Sequence, residues 1–388
     1  MAKFLTILLI QILCGMEMDL FIPSFPELRK VFSLTPAMVQ LTLSVNFAAL
    51  CICSLFAGAL GDRFNRKHVL LTGLVIFVLG SVTCIFAQNF TWLLIGRFLQ
   101  GAGISAPAIL SFAVLLDDLP NNKQASMMGL INGSKTIAMA IAPVIGSFVN
   151  LYFSWRGNFC ILLGLGTVCL VASFWAVPSK PGNHLVSLSL KAFKPLLQSV
   201  DYLGLAFGIS LLTAAYWLFM GMAPIFYMEN MGVTLKQFGF YQGSLSLSFA
   251  IVCILSPMLL KQWGQTRLLY LGIFICFMLA FFISALALIN VKGPIIITSV
   301  LVAFSMAIVF PINILYPLLL VLVPHTKGRA AGLGQAILLM LSAFTLEVVA
   351  YFYHGEFLPI GAMMFVCVTL ATFFFYRFIK KQHQAVLG

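Results

Sequence analysis

Five charged side chains lie inside stretches otherwise composed of apolar residues: Glu17, Asp19, Arg97, Lys135 and Glu347. In a hydrocarbon environment an ionisable residue is costly and is retained where it meets a partner, a proton path or a ligand. Carboxylates can take up and release protons, and Arg and Lys can hold a carboxylate or an anionic ligand. The set therefore supplies ion-coupled transport with titratable groups. Glu17 and Asp19 stand two positions apart, which is about 200° around a helix, so they face different ways unless Pro23 and Pro26 distort the turn. Arg97 enters its stretch about five residues deep, where it either finds a partner or extends to the nearer interface. Lys135 sits mid-stretch and needs a carboxylate, a ligand or loss of its charge. Glu347 lies near the end of its stretch, where lining a cavity and pairing with a loop base are both open. Tyr216, Tyr241 and neighbouring aromatics can wall an apolar pocket or serve as packing and interface anchors.

The elements that carry these groups follow from composition. Hydrophobic residues make up 62% of the 388, charged residues 8%, and the mean hydropathy is +1.07, against a charged fraction of roughly a quarter in ordinary soluble domains. The expected class is an all-α polytopic membrane protein. At about 20 apolar residues per crossing, the chain holds roughly 12 spans: 4–25, 38–60, 69–88, 92–117, 124–150, 158–177, 201–228, 235–260, 268–289, 294–323, 328–353 and 358–379. That leaves no room for a soluble enzymatic or nucleotide-binding domain, and neither enzyme activity nor a cofactor is expected. The first apolar run lacks a small-residue cleavage site and continues through Glu17 and Asp19, so it reads as the first span and not a leader.

The net charge of +12 is a matter of topology. With the N-terminus inside, the cytoplasmic segments hold fifteen Lys and Arg residues and the outer loops five: Arg29, Lys30, Arg156, Lys236 and Lys292. The positive-inside rule then puts both termini in the cytoplasm, and no nucleic-acid partner is expected. The polar interval 178–200, with Lys180, His184, Lys191 and Lys194, divides the chain into bundles of six spans at 1–177 and 201–388. Its lysines suit the anionic lipid of an inner leaflet. The nine cysteines lie in apolar stretches without a C-x-x-C pair and read as free thiols. His354 beside Glu356 has no further ligand spaced nearby, so no metal site is expected. Gly129 to Thr136 imitates a phosphate loop, but Ser134 intrudes before Lys135 and no strand precedes it.

An offset of 199 relates the two halves: Asn65 falls opposite Gly264, Leu70 opposite Leu269, Gly73 opposite Gly272 and Thr35 opposite Thr234. The loop Gly58 to Lys67 is the most specialised segment, with Gly58, Asp62, Arg63, Arg66 and Lys67 in the pattern G-x-x-x-D-[RK]-x-G-[RK]-[RK]. Asn65 replaces the usual Gly, and Asn tolerates the left-handed conformation that a tight turn demands. Asp62 can pair with a neighbouring base and latch two helices in one conformation.

This loop resembles the one between helices 2 and 3 of the major facilitator superfamily of secondary transporters. Arg97, Gln100, Gly101 and Gly103 resemble its helix 4 motif R-x-x-Q-G-x-G, and Ala142 to Gly146, with Pro143, its antiporter motif G-P-x-x-G with Ala leading. Asp19 to Pro26 is similar to the D-x-Y-L-P-x-x-P stretch of bacterial drug:proton antiporters, the bicyclomycin and chloramphenicol resistance branch, with Phe21 for Tyr. The resemblance implies two six-helix bundles, alternating access, an inner-membrane monomer, and protons that enter as a small molecule leaves. It implies Asp19 as the proton-linked carboxylate, with Arg97 in coupling. Glu17 is then a second coupling acid, a substrate contact or the partner of Lys135. Lys135, Glu347, Tyr216 and Tyr241 would contact substrate; Gly58, Asp62, Arg63, Arg66, Lys67, Pro143 and Gly146 would serve gating. Two alternatives stay open: a dedicated carrier of a polar or carboxylate metabolite such as a siderophore, with Lys135 and Arg97 as anion contacts, and a non-transporting receptor or assembly factor.

Overall fold

A computed structural model describes residues 2–116, 121–179, 193–322 and 327–387, and among these there is no strand. In lipid every backbone polar group must be bonded within its own segment, which leaves helices as the open choice for such a chain. The helices are α1 (Ala2–Asp19), α2 (Phe25–Phe32), α3 (Pro36–Arg63), α4 (Arg66–Ile85), α5 (Phe90–Leu116), α6 (Asn121–Ala176), α7 (Lys194–Gln198), α8 (Val200–Pro224), α9 (Leu235–Trp263), α10 (Gln265–Leu288), α11 (Pro294–Ala307), α12 (Val309–Val321), α13 (Lys327–Phe352) and α14 (Leu358–Leu387). Eleven helical runs among the described residues are long and apolar enough to cross a membrane. One of them, 130–176, contains a non-helical residue at Ser154, so it makes two crossings and brings the total to twelve.

The chain forms two compact units, one of residues 1–189 and 234–243, the other of residues 190–233 and 244–388. The first turns of α9 group with the first unit because Gly239 and Gly243 have no side chain to hold them off Ser147 and Val144 of α6, and Phe240 meets Phe148 edge-on at 6.2 Å. In the second unit the single-turn α7 precedes α8, and Asp201 at the start of α8 pairs with Lys381 of α14 at 2.7 Å. The basic interval at Lys180, His184 and Lys191 lies outside the described residues.

The internal offset of 199 holds for element starts as well as for single residues. α3 begins at Pro36 and α9 at Leu235; α4 begins at Arg66 and α10 at Gln265. Thr35 caps α3 by accepting from Met38 N at 3.2 Å, and Thr234 accepts from Gln237 N at 3.4 Å at the start of α9. Gly73 and Gly272 each lie against a proline of a neighbouring helix, Pro107 and Pro311.

One conformational expectation is corrected. Asn65 is extended at φ −151° and not left-handed; its side chain caps α4 by accepting from Lys67 N at 2.9 Å. An Asn serves here because a helix start needs an acceptor for its orphan N–H groups. At the repeat position Gly264 does take a positive φ, +81°.

Candidate functional site

α1, α3, α4 and α5 converge on a buried polar cluster in the first unit. Arg97 is fully buried and its Nη1 meets Glu17 Oε1 at 2.9 Å, with both side chains sealed from solvent. The same Nη1 donates to Gln100 Oε1 at 2.8 Å, and Nε donates to the Thr42 carbonyl at 3.2 Å. Asn46 Nδ2 donates to Glu17 Oε1 at 2.8 Å and to the Arg97 carbonyl at 3.1 Å. Gln100 Nε2 donates to Ser81 Oγ at 2.9 Å, and Ser81 returns its proton to the Phe77 carbonyl at 2.9 Å. The guanidinium lies 5.1 Å from the centre of the Phe21 ring, within cation–π range. A buried ion pair needs such further bonds to offset its lost hydration. Gly101 makes the approach possible: its Cα faces the Asn46 carbonyl, where a Cβ would collide with backbone.

Arg97 therefore does not extend to an interface, and Glu17 is not the partner of Lys135. The fold brings Glu17 against α3 and α5, where Asn46 and Arg97 both donate to its Oε1. Lys135 makes no ion pair with a described residue.

Asp19 ends α1 one turn from the Pro23 distortion. It is 1% exposed, and its Oδ1 has no hydrogen-bond partner. The backbone next to it is held tightly, because Gly146 of α6 packs directly on the Leu20 carbonyl. The helix runs on through buried Pro143 with helical geometry, and its break falls at Ser154 (φ 59°, ψ 177°) instead.

That break is held by a residue the sequence reading passed over. Glu27 accepts from Ser154 Oγ at 2.6 Å and from Trp155 N at 3.0 Å, so a carboxylate sits at the start of the second half of α6, where the helix dipole favours negative charge. Arg156 lies 4.2 Å over the Trp155 ring and donates to the carbonyls of Ile85, the last residue of α4, and Ala87 just past it. Buried between this clamp and α1, Asn158 donates to Ser24 Oγ at 2.9 Å and Ser24 donates to Asn150 at 3.3 Å.

At the Gly58 to Lys67 loop, Asn65 Nδ2 donates to Ser179 Oγ at 2.7 Å and the Lys67 ammonium lies 5.4 Å over Phe174, so the loop is tied to the end of α6. Arg63 stands 5.7 Å over Phe64, and Gly58 rests against Ile109 of α5. Arg66 is half-buried at the first position of α4, and the side chain of Asp62 lies outside the described residues. In the second unit Tyr216 stacks on Phe249 at 5.7 Å, and Glu347 is half-buried on α13. Tyr241 is half-buried on α9. No group of three or more metal-ligating side chains occurs among the described residues.

Asn46, Thr42 and Ser81 were missed in the sequence. An amide in the middle of an apolar span, as Asn46 is, must find a partner, and that signal alone could have placed it in the cluster.

The multidrug resistance protein MdtL of Klebsiella pneumoniae (strain 342) is 28% identical over 240 residues, 61% of this chain and 59% of that protein. MdtL of Escherichia coli O139:H28 is 29% identical over 215 residues, 55% of each chain. The matched region thus spans less than two thirds of these curated relatives. Among solved structures, the xylose transporter XylE from E. coli superposes with a TM-score of 0.77 at 13% identity, covering 97% of both chains. A bacterial homologue of the human lysosomal transporter Spinster gives 0.77 at 16% identity, covering 97% of this chain and 96% of its own. These two show the fold. The family model of the Major Facilitator Superfamily matches residues 7–346, and with twelve crossings, the helix 4 motif in its buried cluster and this match, the chain belongs to the Major Facilitator Superfamily of transporters.

Proposed function

We propose that this transporter is a proton-coupled exporter of amphipathic small molecules, working by alternating access as a monomer in a bacterial inner membrane. The observation that carries the reading is Asp19, a carboxyl buried at 1% exposure with an unpartnered Oδ1, beside an acid whose charge Arg97 already balances. Glu17 and Arg97 cancel locally, so proton uptake and release at Asp19 changes the charge of the cluster by one. A conformational preference follows from that charge, because a transporter shifts between states only as far as proton and substrate bind them differently. Similarity to proteins named for multidrug resistance supports efflux of drugs or small metabolites as the direction and cargo.

In this reading Arg97 is a positioning residue that holds Glu17 and, through Phe21, the end of α1. The Gly58 to Lys67 loop is the cytoplasmic latch, engaging Ser179 and Phe174; Pro143 and Gly146 set the close contact of α6 with α1. Lys135, Glu347, Tyr216 and Tyr241 are the substrate contacts. The fifteen-to-five bias of basic residues supports cytoplasmic termini, and the lysines of the 178–200 linker between the six-span halves would meet anionic lipid. The test is proton flux in everted membrane vesicles carrying an imposed pH gradient. Adding a panel of lipophilic drugs is expected to collapse the gradient for at least one compound; no response across the panel contradicts the reading.

A further inference from the structure

The polar residues of α6 that the Asp19 cluster does not use lie on one turn. Asn132, Lys135 and Thr136 occupy positions i, i+3 and i+4 and so share a face. Measured from the start of α6 to its break at Ser154, Lys135 is two residues from the midpoint, about 3 Å at 1.5 Å per residue. Asn132 is exposed, and Lys135 and Thr136 are half-buried. A Cβ at the adjacent Gly133 would meet nothing within 4 Å. The Thr136 hydroxyl donates to the Asn132 carbonyl at 2.9 Å, while the Asn132 amide and the Lys135 ammonium bond to no described residue.

The flank of the stripe beside Lys135 is closed: Ile131, Ala138 and Ala142 are buried, and Gly15 of α1 packs on the Lys135 carbonyl and Ala138, while the opposite face is apolar and exposed at Leu130, Ile137 and Ile141, as a lipid-facing surface is. An ammonium and an amide turned towards hydrocarbon at this depth are among the costliest arrangements a span can hold, so the stripe faces water or a ligand. No described carboxylate pairs with its charge. Glu17 serves Arg97, Asp19 makes no bond to Lys135, and the other base of the unit's interior, Arg97, is sealed at 0% exposure. The anion contact that the sequence divides between Arg97 and Lys135 falls to Lys135 alone.

We infer that Asn132, Lys135 and Thr136 form the headgroup subsite of the transport path and that it takes an amphipathic monoanion, an assignment that rests on the transport function proposed above. A carboxylate of the cargo bonds to the Lys135 ammonium and the Asn132 amide. Its apolar body lies along Met139, which is half-buried one turn on from Lys135 on the same face.

The test uses purified full-length protein in liposomes with 1-naphthaleneacetate, its methyl ester and 1-naphthylmethylamine as probes. Wild-type protein is expected to move the acid with kcat/KM about tenfold or more above the ester and the amine. Lys135→Gln is expected to lose about ten- to hundredfold for the acid, the range of a charged hydrogen bond, and Lys135→Arg to keep most of the rate. Equal rates for the three probes, preference for the ester or amine, transport of none of them, or an undiminished rate in Lys135→Gln overturns the inference. The wild-type comparison needs no variant to fold. Acid preference that depends on Lys135 but ignores an imposed pH gradient upholds the subsite and sinks the proton coupling. A pH-driven flux of the amine alone does the reverse.

Discussion

Glu17→Gln keeps the size and shape of the side chain and removes the charge that Arg97 Nη1 meets at 2.9 Å. The guanidinium would remain buried on the Thr42 carbonyl, Gln100 and the Phe21 ring with no counter-charge. Breaking a buried pair from one side costs about 3–5 kcal/mol. For a cooperative unit near 200 residues each kcal/mol lowers Tm by about 2–4 °C, so the single variant should melt roughly 6–20 °C early. Arg97→Gln should cost a similar amount, and the double variant should fall about 2–3 kcal/mol short of the sum, as directly bonded partners do. Thermal unfolding in detergent, followed by intrinsic fluorescence, measures all three. The geometry also predicts additivity for Glu17→Gln with Lys135→Gln, which form no pair. A loss below about 2 °C for Glu17→Gln, or strict additivity with Arg97→Gln, would refute the assigned pairing.

Three further outcomes follow from local geometry. Glu27→Gln should weaken the start of the second half of α6 by about 1 kcal/mol, the usual worth of a cap, seen as faster proteolysis near Ser154. Gly101→Val should disrupt the first unit, because even its Cβ meets the Asn46 carbonyl; a loss of monodisperse protein on size exclusion is the readout, and normal yield and Tm would contradict the close packing. Asn65→Gly should fail to stabilise, because the residue is extended and its amide bonds Ser179 at 2.7 Å; a higher Tm would show that the turn wants a left-handed residue after all.

Much of the architecture is legible in the sequence because lipid imposes a coarse rule: a span needs an uninterrupted apolar run, and Lys and Arg collect between runs. The break between the fifth and sixth spans falls at Ser154, inside the interval 151–157 that the expected spans 124–150 and 158–177 leave between them. Pairings were less legible. A helix-level reading knows that Glu17 and Asp19 point apart, but which neighbour each meets depends on how closely helices approach. That distance is set by Gly101 on Asn46 and Gly146 on Leu20, contacts between residues 55 and 126 positions apart that no local pattern encodes. Asn65 shows the opposite failure. Its place in a loop motif suggested a turn conformation, while the structure uses it as a helix cap, a role that any Asn before a helix can fill.

Whether Asp19 carries the transported proton is measured most directly by pH-gradient-driven transport with wild-type protein and Asp19→Asn, reconstituted side by side at equal amounts. The variant should fold, since it changes one carboxyl whose buried Oδ1 has no hydrogen-bond partner, and should lose accumulation of substrate against a concentration gradient. Undiminished uphill transport by Asp19→Asn, with the same dependence on the pH gradient as wild type, would contradict that role for Asp19.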